Sequence, residues 1–275
     1  MNVTKAIIPV AGWGTRRLPI TKAIEKSMLP VGNRPIIDYV VQDCIRAGIT
    51  DIYFVVSKAG SQLEAFYTRD SELEDYLKAN NKEQLLPLVT PPKEVNFHYI
   101  VQDTSSEAPY GTAIPVALCA EFVAQNEPIA VLMGDDFIYN ADGSSELGRL
   151  IAATPETGSS MIGAEVPRED VSRYGVLAMD ARNNFVRIVE KPAIEAAPST
   201  LINPSKYVIS ADLLKEICHY TEQPRNEEYY ITDPINTYVQ NGGIMKVVPA
   251  VGHYLDGGTV EGWLKANEIV MGVAA

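Results

Sequence analysis

Short apolar, β-branched runs alternate along the chain with stretches whose apolar residues recur every three or four positions, the pattern of strands interleaved with amphipathic helices. Residues 5–10 (KAIIPV) read as the first strand. Residues 35–47 read as a helix with Ile36, Tyr39, Val40, Cys44 and Ile45 on one face and Gly48 as its stop. Strands are expected at 51–57, 95–101 and 129–133, with helices from 62–66 and over 112–124 between them. Later strands are expected near 159–165, 175–179, 186–189, 206–209 and 244–251, and helices from about 211, around 232–241 and over 260–271. The charged stretch 71–92 reads as a helical insertion between the second and third strands. This alternation predicts a layered α/β fold with a largely parallel sheet. No linker or fixed-period repeat divides the chain, so residues 1–275 are expected to form a single domain.

Composition narrows the function. The 275 residues are 46% hydrophobic and 21% charged, which is ordinary for a globular chain. Lys and Arg number 23 against 35 Asp and Glu, a formal net charge of −12. That balance argues against nucleic-acid and membrane partners, both of which need a basic surface. It leaves an anionic small molecule open, because a few local cations hold a phosphate. No apolar run reaches the roughly 18–20 residues of a spanning helix. The opening MNVTKAIIPVAG is broken too early by Gly12 for a signal peptide, and a cytoplasmic location is expected. Cys44, Cys119 and Cys218 are isolated and odd in number, as for buried thiols in a reducing compartment. His98, His219 and His253 show no ligand spacing.

Candidate chemistry concentrates after the first strand, in Ala11-Gly12-Trp13-Gly14-Thr15-Arg16-Arg17-Leu18-Pro19. Two glycines let the backbone approach a ligand, and their free N–H groups form an anion nest. By itself Gly-x-Gly is only a tight turn. The dinucleotide fingerprint fails because Arg17 stands where its third glycine belongs, and no Walker G-K-[ST] is present. The segment gains weight from Arg16, Arg17, Lys22 and Lys26, cations set close together in an acidic chain and suited to a polyphosphate.

The segment AGWGTRRLPITKAIEKSMLP resembles the signature of sugar-1-phosphate nucleotidyltransferases, G-x-G-T-R-x-x-P followed by K-x-[ML]-L-P. More specifically it resembles the branch of bacterial UTP–glucose-1-phosphate uridylyltransferases, or UDP-glucose pyrophosphorylases. In the same order follow RPIIDYVVQDCIRAGITDIYFVV, SELEDYLKANNKEQLL, GDD at 134–136, RYGV at 173–176, VEKP at 189–192, YVISADLL at 207–214, ITD at 231–233 and LDGGT at 255–259. The resemblance implies a Rossmann-like three-layer α/β/α sandwich with a mixed, mostly parallel central sheet. About 1–135 would be the nucleotide-binding half and about 136–275 the sugar-binding half. It implies a Mg2+-dependent homo-oligomer that makes UDP-glucose and pyrophosphate from UTP and α-D-glucose 1-phosphate.

By the same resemblance, Arg16 and the Thr15 amide would cradle the β- and γ-phosphates, and Lys26 would sit at the α-phosphate. Asp135 and Asp256 would hold Mg2+, with Asp136 pointing away. Ala11, Gly12 and Gly14 belong to the nucleotide loop; Gln102 would read the uracil edge, and Gly111 would let the chain approach the base. Gly175, Glu190 and Lys191 would bind the sugar phosphate.

Three features depart from the pattern. Glu25 and Ser27 replace the usual Pro and Glu of the lysine box, Ser105–Gly111 differs before its Gly-Thr-Ala turn, and Trp13 stands where Leu is usual. The Gly-Thr-Ala turn keeps thymidylyl transfer or another sugar 1-phosphate as an alternative. Ser27 and Ala108 keep a non-catalytic nucleotide-sugar-binding regulator as another.

Overall fold

Lys5–Pro9 (β1) runs through the interior of a ten-stranded sheet, and its side chains alternate between two apolar layers. The structure is a computed structural model that describes residues 2–57 and 62–273. Along the chain β1 is followed by the pair Pro30–Val31 (β2) and Arg34–Pro35 (β3), then Asp51–Val56 (β4), Asn96–Val101 (β5), Ile129–Leu132 (β6) and Asp136–Tyr139 (β7). Ser159–Glu165 (β8), Gly175–Met179 (β9), Phe185–Glu190 (β10), Leu201–Ile202 (β11), Lys206–Ile209 (β12), Met245–Pro249 (β13) and His253–Asp256 (β14) complete the strands. The sheet order is β10-β9-β11-β8-β12-β6-β1-β4-β5, with β13 on β8. Strands β6, β1, β4 and β5 are mutually parallel, as are β8 and β13. Antiparallel β12 joins these two groups, and β11, β9 and β10 extend the second to its edge.

The three layers follow from strand alternation. Ala6 and Ile8 of β1 and Ile52, Phe54 and Val56 of β4 pack with Ile36, Ile37, Val40, Val41 and Cys44 of the helix Ile36–Arg46. Ile7, Tyr53 and Val55 face the opposite layer, where Val116, Leu213, Ile217 and Ile235 arrive from helices Ile114–Leu118, Ala211–Glu222 and Thr232–Gln240. Each fully buried aliphatic side chain contributes about 1.5–3 kcal/mol, so both faces of the sheet must be covered. The expected α/β/α sandwich on a mixed sheet is present, and helices and strands occur where the periodicity places them.

The differences are local. The expected helix over 112–124 shrinks to Ile114–Leu118 with a 3-10 turn at Ala120–Phe122. Its first residues are diverted: Ala113 N donates to Tyr229 O at 2.9 Å, and Thr112 Oγ1 accepts from Ile231 N at 2.9 Å. Strands β2, β3, β7, β11 and β14 lie outside the expected set. β7 and β14 form a separate two-stranded ribbon with Asp136 opposite Asp256 and Phe137 opposite Leu255.

Two contacts seat this ribbon. Phe137 stacks on Tyr39 of the first helix, with ring centroids 4.4 Å apart. The buried Glu146 carboxylate accepts from Val251 N at 2.9 Å and Gly252 N at 2.8 Å, just before β14. Glu146 begins a helix capped by Ser145, whose hydroxyl donates to Asp43 Oδ1 at 2.6 Å, linking that helix to the first one. Phe137→Ala should therefore cost about 3–5 kcal/mol of stability, read as a lowered urea midpoint at unchanged slope. A loss below the range for buried aromatics would show that the ribbon does not depend on this ring.

Candidate active site

The carboxyl ends of β1, β5 and β6 lie at one rim of the parallel half-sheet, where open α/β sheets place their ligand crevices. The loops leaving them border a cleft of about 800 Å3. Gly14, at φ 64, makes the first loop turn back, and its carbonyl accepts from Arg17 N and Thr21 Oγ1, both at 2.8 Å. That turn leaves Ala11, Gly12, Trp13 and Arg16 on the cleft wall. Gly14 and Thr15 lie in the same loop but not on the wall. A second short turn, Lys26–Met28, delivers Lys26, whose Nζ meets Asp135 Oδ2 at 2.6 Å.

Asp135 and Asp136 take different cations. Asp135 pairs with Lys26, whereas Asp136 pairs with buried Lys206 and accepts from Tyr254 Oη at 3.2 Å. The two side chains take different partners, but Asp136 does not leave the site as expected: both residues border the cleft. Burial opposes ionisation of Asp135, but Lys26 beside it outweighs this and holds its carboxyl below the usual range. Burial pushes Asp136 up to about 6 against the pull of Lys206, with the Asp135 charge adding to the rise.

Asp256 is not on the cleft wall itself, but the ribbon brings its turn against Asp135 and Arg16, which are. Its Oδ1 accepts from Gly258 N at 2.7 Å, and Gly257 N donates to Asp135 O at 3.1 Å. A Cβ on Gly257 would fall 2.6 Å from Asp135 O, so only glycine allows this approach. A Cβ on Gly258 would lie 2.9 Å from Asp256 Oδ1 and 3.4 Å from Arg16 Nη2. The guanidinium and the carboxylate thus both crowd the same face of one glycine. Among the described residues no group of three or more His, Cys, Asp or Glu could hold a metal by itself. A cation here would draw one or two carboxylates from the protein and its other ligands from substrate or water, a donor set that fits Mg2+.

Gln102, directly after β5, is buried and borders the cleft. Gly111 is on the wall too, at φ 129. A Cβ there would fall 2.5 Å from the backbone N and O of Tyr229, so the missing side chain serves the pairing of 110–113 with 229–231. Gly175, Glu190 and Lys191 form their own cluster where β9 meets β10. A Cβ on Gly175 would lie 2.8 Å from Glu190 Oε1, and Lys191 N donates to Tyr174 O at 3.0 Å. These three residues are brought together, but they do not line the 800 Å3 cleft.

One expectation needs correction. Arg17 does not face the cleft with Arg16: it is 4% exposed, and its Nη1 donates to Gly257 O and Thr259 O. Lys22 borders a neighbouring cavity of about 220 Å3 rather than the cleft. Glu25 and Gln62 exchange backbone-to-side-chain hydrogen bonds at 2.8 and 2.9 Å, pinning the lysine loop to the following helix. Ser27 is buried, with its hydroxyl unpartnered. Glu228, Tyr110 and Ser205 also border the cleft, and no spacing signal marks them because each arrives singly on a loop.

The family model for nucleotidyl transferases matches residues 5–271. The chain is 38% identical over 251 residues to the UTP–glucose-1-phosphate uridylyltransferase of Escherichia coli K12, covering 87% of this chain and 81% of that protein. It is 37% identical over 244 residues to the Streptococcus pyogenes protein of the same name, covering 86% and 78%. In structure it is similar to a UTP-bound UGPase from Acinetobacter baumannii, with a TM-score of 0.87 at 29% identity over 100% of this chain and 95% of that one.

A pH test follows from Asp136. Its ordinary value is 3.8 and its folded value about 6, so across that interval the unfolded chain has released the proton while the folded chain retains it. Stability contributed by Asp136 therefore falls as pH rises from about 4 to about 6 and is level above. The difference in unfolding free energy between wild type and Asp136→Asn should show that decline in urea melts; a flat difference would contradict it.

Proposed function

The chain belongs to the nucleotidyl transferase family, and we propose that it makes UDP-glucose and pyrophosphate from UTP and α-D-glucose 1-phosphate. The observation that carries this reading is the convergence of Arg16, Lys26, Asp135 and the Asp256 turn at one rim, from positions up to 240 residues apart along the chain. A sugar phosphate oxygen must attack the α-phosphate in line as pyrophosphate leaves. Both reactants are anions, so the work is positioning and charge neutralisation.

In this reading Arg16 and the Thr15 amide hold the departing β- and γ-phosphates. Lys26 exchanges Asp135 for the α-phosphate and stabilises the charge that builds there. Ala11, Gly12 and Gln102 hold the base, Gln102 through its paired donor and acceptor. Gly14 shapes the loop, and Gly111 lets the facing wall approach the base. Gly175, Glu190 and Lys191 take the hexose and its phosphate from beyond the cleft. Asp135 and Asp256 would hold Mg2+, which when bound contributes neutralisation of phosphate charge.

The reading extends to a cytoplasmic homo-oligomer; among the described residues no helix is long and apolar enough to cross a membrane. Gly111 and Thr112 of the Gly-Thr-Ala turn border the cleft, which keeps thymidylyl transfer as a second reading of the base.

Incubation with UTP, glucose 1-phosphate and Mg2+ should release pyrophosphate, and no release with any common nucleoside triphosphate would end the proposal. In the same assay a clear dTTP preference would reassign the base, and UDP-glucose binding without turnover would leave a binder. Lys26→Ala should lower kcat by about 100-fold or more while UDP-glucose affinity moves only a few-fold. Asp135→Asn should raise the Mg2+ concentration needed for half-maximal rate; an unchanged requirement would assign the cation to another carboxylate.

A further inference from the structure

A buried guanidinium is expensive unless its charge and donors are answered. Arg17 is such a group, although its chain neighbour Arg16 is exposed at the cleft. Burial draws the Arg17 pKa down, and its Nε is buried without a partner. Its Nη1 donates to Gly257 O at 2.8 Å and Thr259 O at 2.7 Å. Beyond these bonds the guanidinium lies 5.2 Å over the ring of Trp263, which is itself fixed by donating to Pro30 O at 2.6 Å. A cation held this way is not available to a phosphate. The family signature also leaves position 17 open, so the resemblance gives Arg17 no role.

The identity of the gripped carbonyls shows what the arrangement does. Gly257 O and Gly258 N belong to the same peptide unit. Arg17 takes its carbonyl, and its N–H donates to Asp256 Oδ1 at 2.7 Å. Fixing the carbonyl end of a planar peptide fixes the N–H end, and a charged donor on the oxygen polarises the N–H toward its acceptor. The second bond, to Thr259 O, closes the grip on the far side of Gly258. Through Gly257 N the same turn is tied to Asp135 O at 3.1 Å.

We infer that Arg17 is a positioning residue for Asp256: by holding the Gly257–Gly258 peptide it orients the second carboxylate of the site and sets its affinity for the divalent cation without touching substrate. The inference rests on the reading of Asp256 as a cation ligand. Lysine in this place keeps the charge but ends one bond short of Nη1, and it lacks the planar guanidinium that spans from the two carbonyls to the Trp263 ring.

The test compares Arg17→Lys with Trp263→Phe, which removes the bond to Pro30 O but leaves both carbonyl bonds in place. Thermal unfolding with UDP-glucose present is followed across a Mg2+ titration, and pyrophosphate release is measured in parallel. Arg17→Lys should raise the Mg2+ concentration for half-maximal stabilisation about 10-fold or more, as loss of outer support does at metal sites. The Mg2+ requirement of turnover should rise with it, while the KM for UTP stays within about twofold. Trp263→Phe should lower the melting temperature and leave the Mg2+ midpoint in place. If Arg17→Lys does not fold, Arg17→Gln, a shorter and neutral donor, should show a Mg2+ shift at least as large. An unchanged Mg2+ midpoint in the Arg17 variants, or an equal shift in Trp263→Phe, would overturn the assignment. A wild type that Mg2+ fails to stabilise would instead remove the cation site on which it rests.

Discussion

Lys26 and Asp135 meet at 2.6 Å across 109 positions of sequence, and the rest of the site is organised around that contact. Each side chain retains about a quarter of its exposure, so the pair is neither sealed nor fully solvated. A fully buried pair would resist separation, and a free surface pair contributes about 0–1 kcal/mol and holds no fixed geometry. An ammonium held at the cleft wall by a carboxylate is already oriented toward an arriving anion. The chain is acidic overall, with a net charge of −12, so this local placement rather than net charge lets the cleft accept phosphates.

Parallel pairing of β6, β1, β4 and β5 creates the rim where that contact forms, because it sends β1, β5 and β6 toward the same edge. The ribbon of β7 and β14 then adds the LDGGT turn. Its register sets Asp256 opposite Asp136, and aromatic stacking and the Glu146 carboxylate hold it on the first helix and its neighbour. The basic loop divides its labour: Arg16 stays at the cleft while Arg17 braces the turn opposite. Adjacent residues on a 3-10 turn point in different directions, which is how one short segment both faces a ligand and anchors its own scaffold.

The opposite wall depends on backbone pairing. Tyr229 N donates to Tyr110 O, and Ala113 N donates to Tyr229 O, so the segments around 111 and 230 move as one. Gly111 is required by that pairing, and Arg225, lying against both the Tyr220 and Tyr229 rings, steadies the second segment. The Gly175–Glu190–Lys191 cluster belongs to the outer antiparallel strands, separate from the 800 Å3 cleft wall.

Much of this was legible in the chain by itself. Period-two and period-3.6 apolar patterns located β1, β4, β5, β6 and the helices packed on them, because burying those faces dominates the energy wherever the neighbours come from. The glycine bend with Arg16 and Lys26 carried its own local signal of charge and turn chemistry. Arg17 carried an identical charge signal and a different fate, since burial depends on what a distant turn offers the side chain. The ribbon was invisible for the same reason: four-residue strands have little intrinsic preference and form only when each finds the other. Sequence therefore determined the layers, the cationic loop and the candidate carboxylates. Tertiary structure alone decided which cation faces the cleft, which carboxylates share its rim and why position 111 must be glycine. Those outcomes depend on contacts between residues more than 100 positions apart, and no local pattern encodes them.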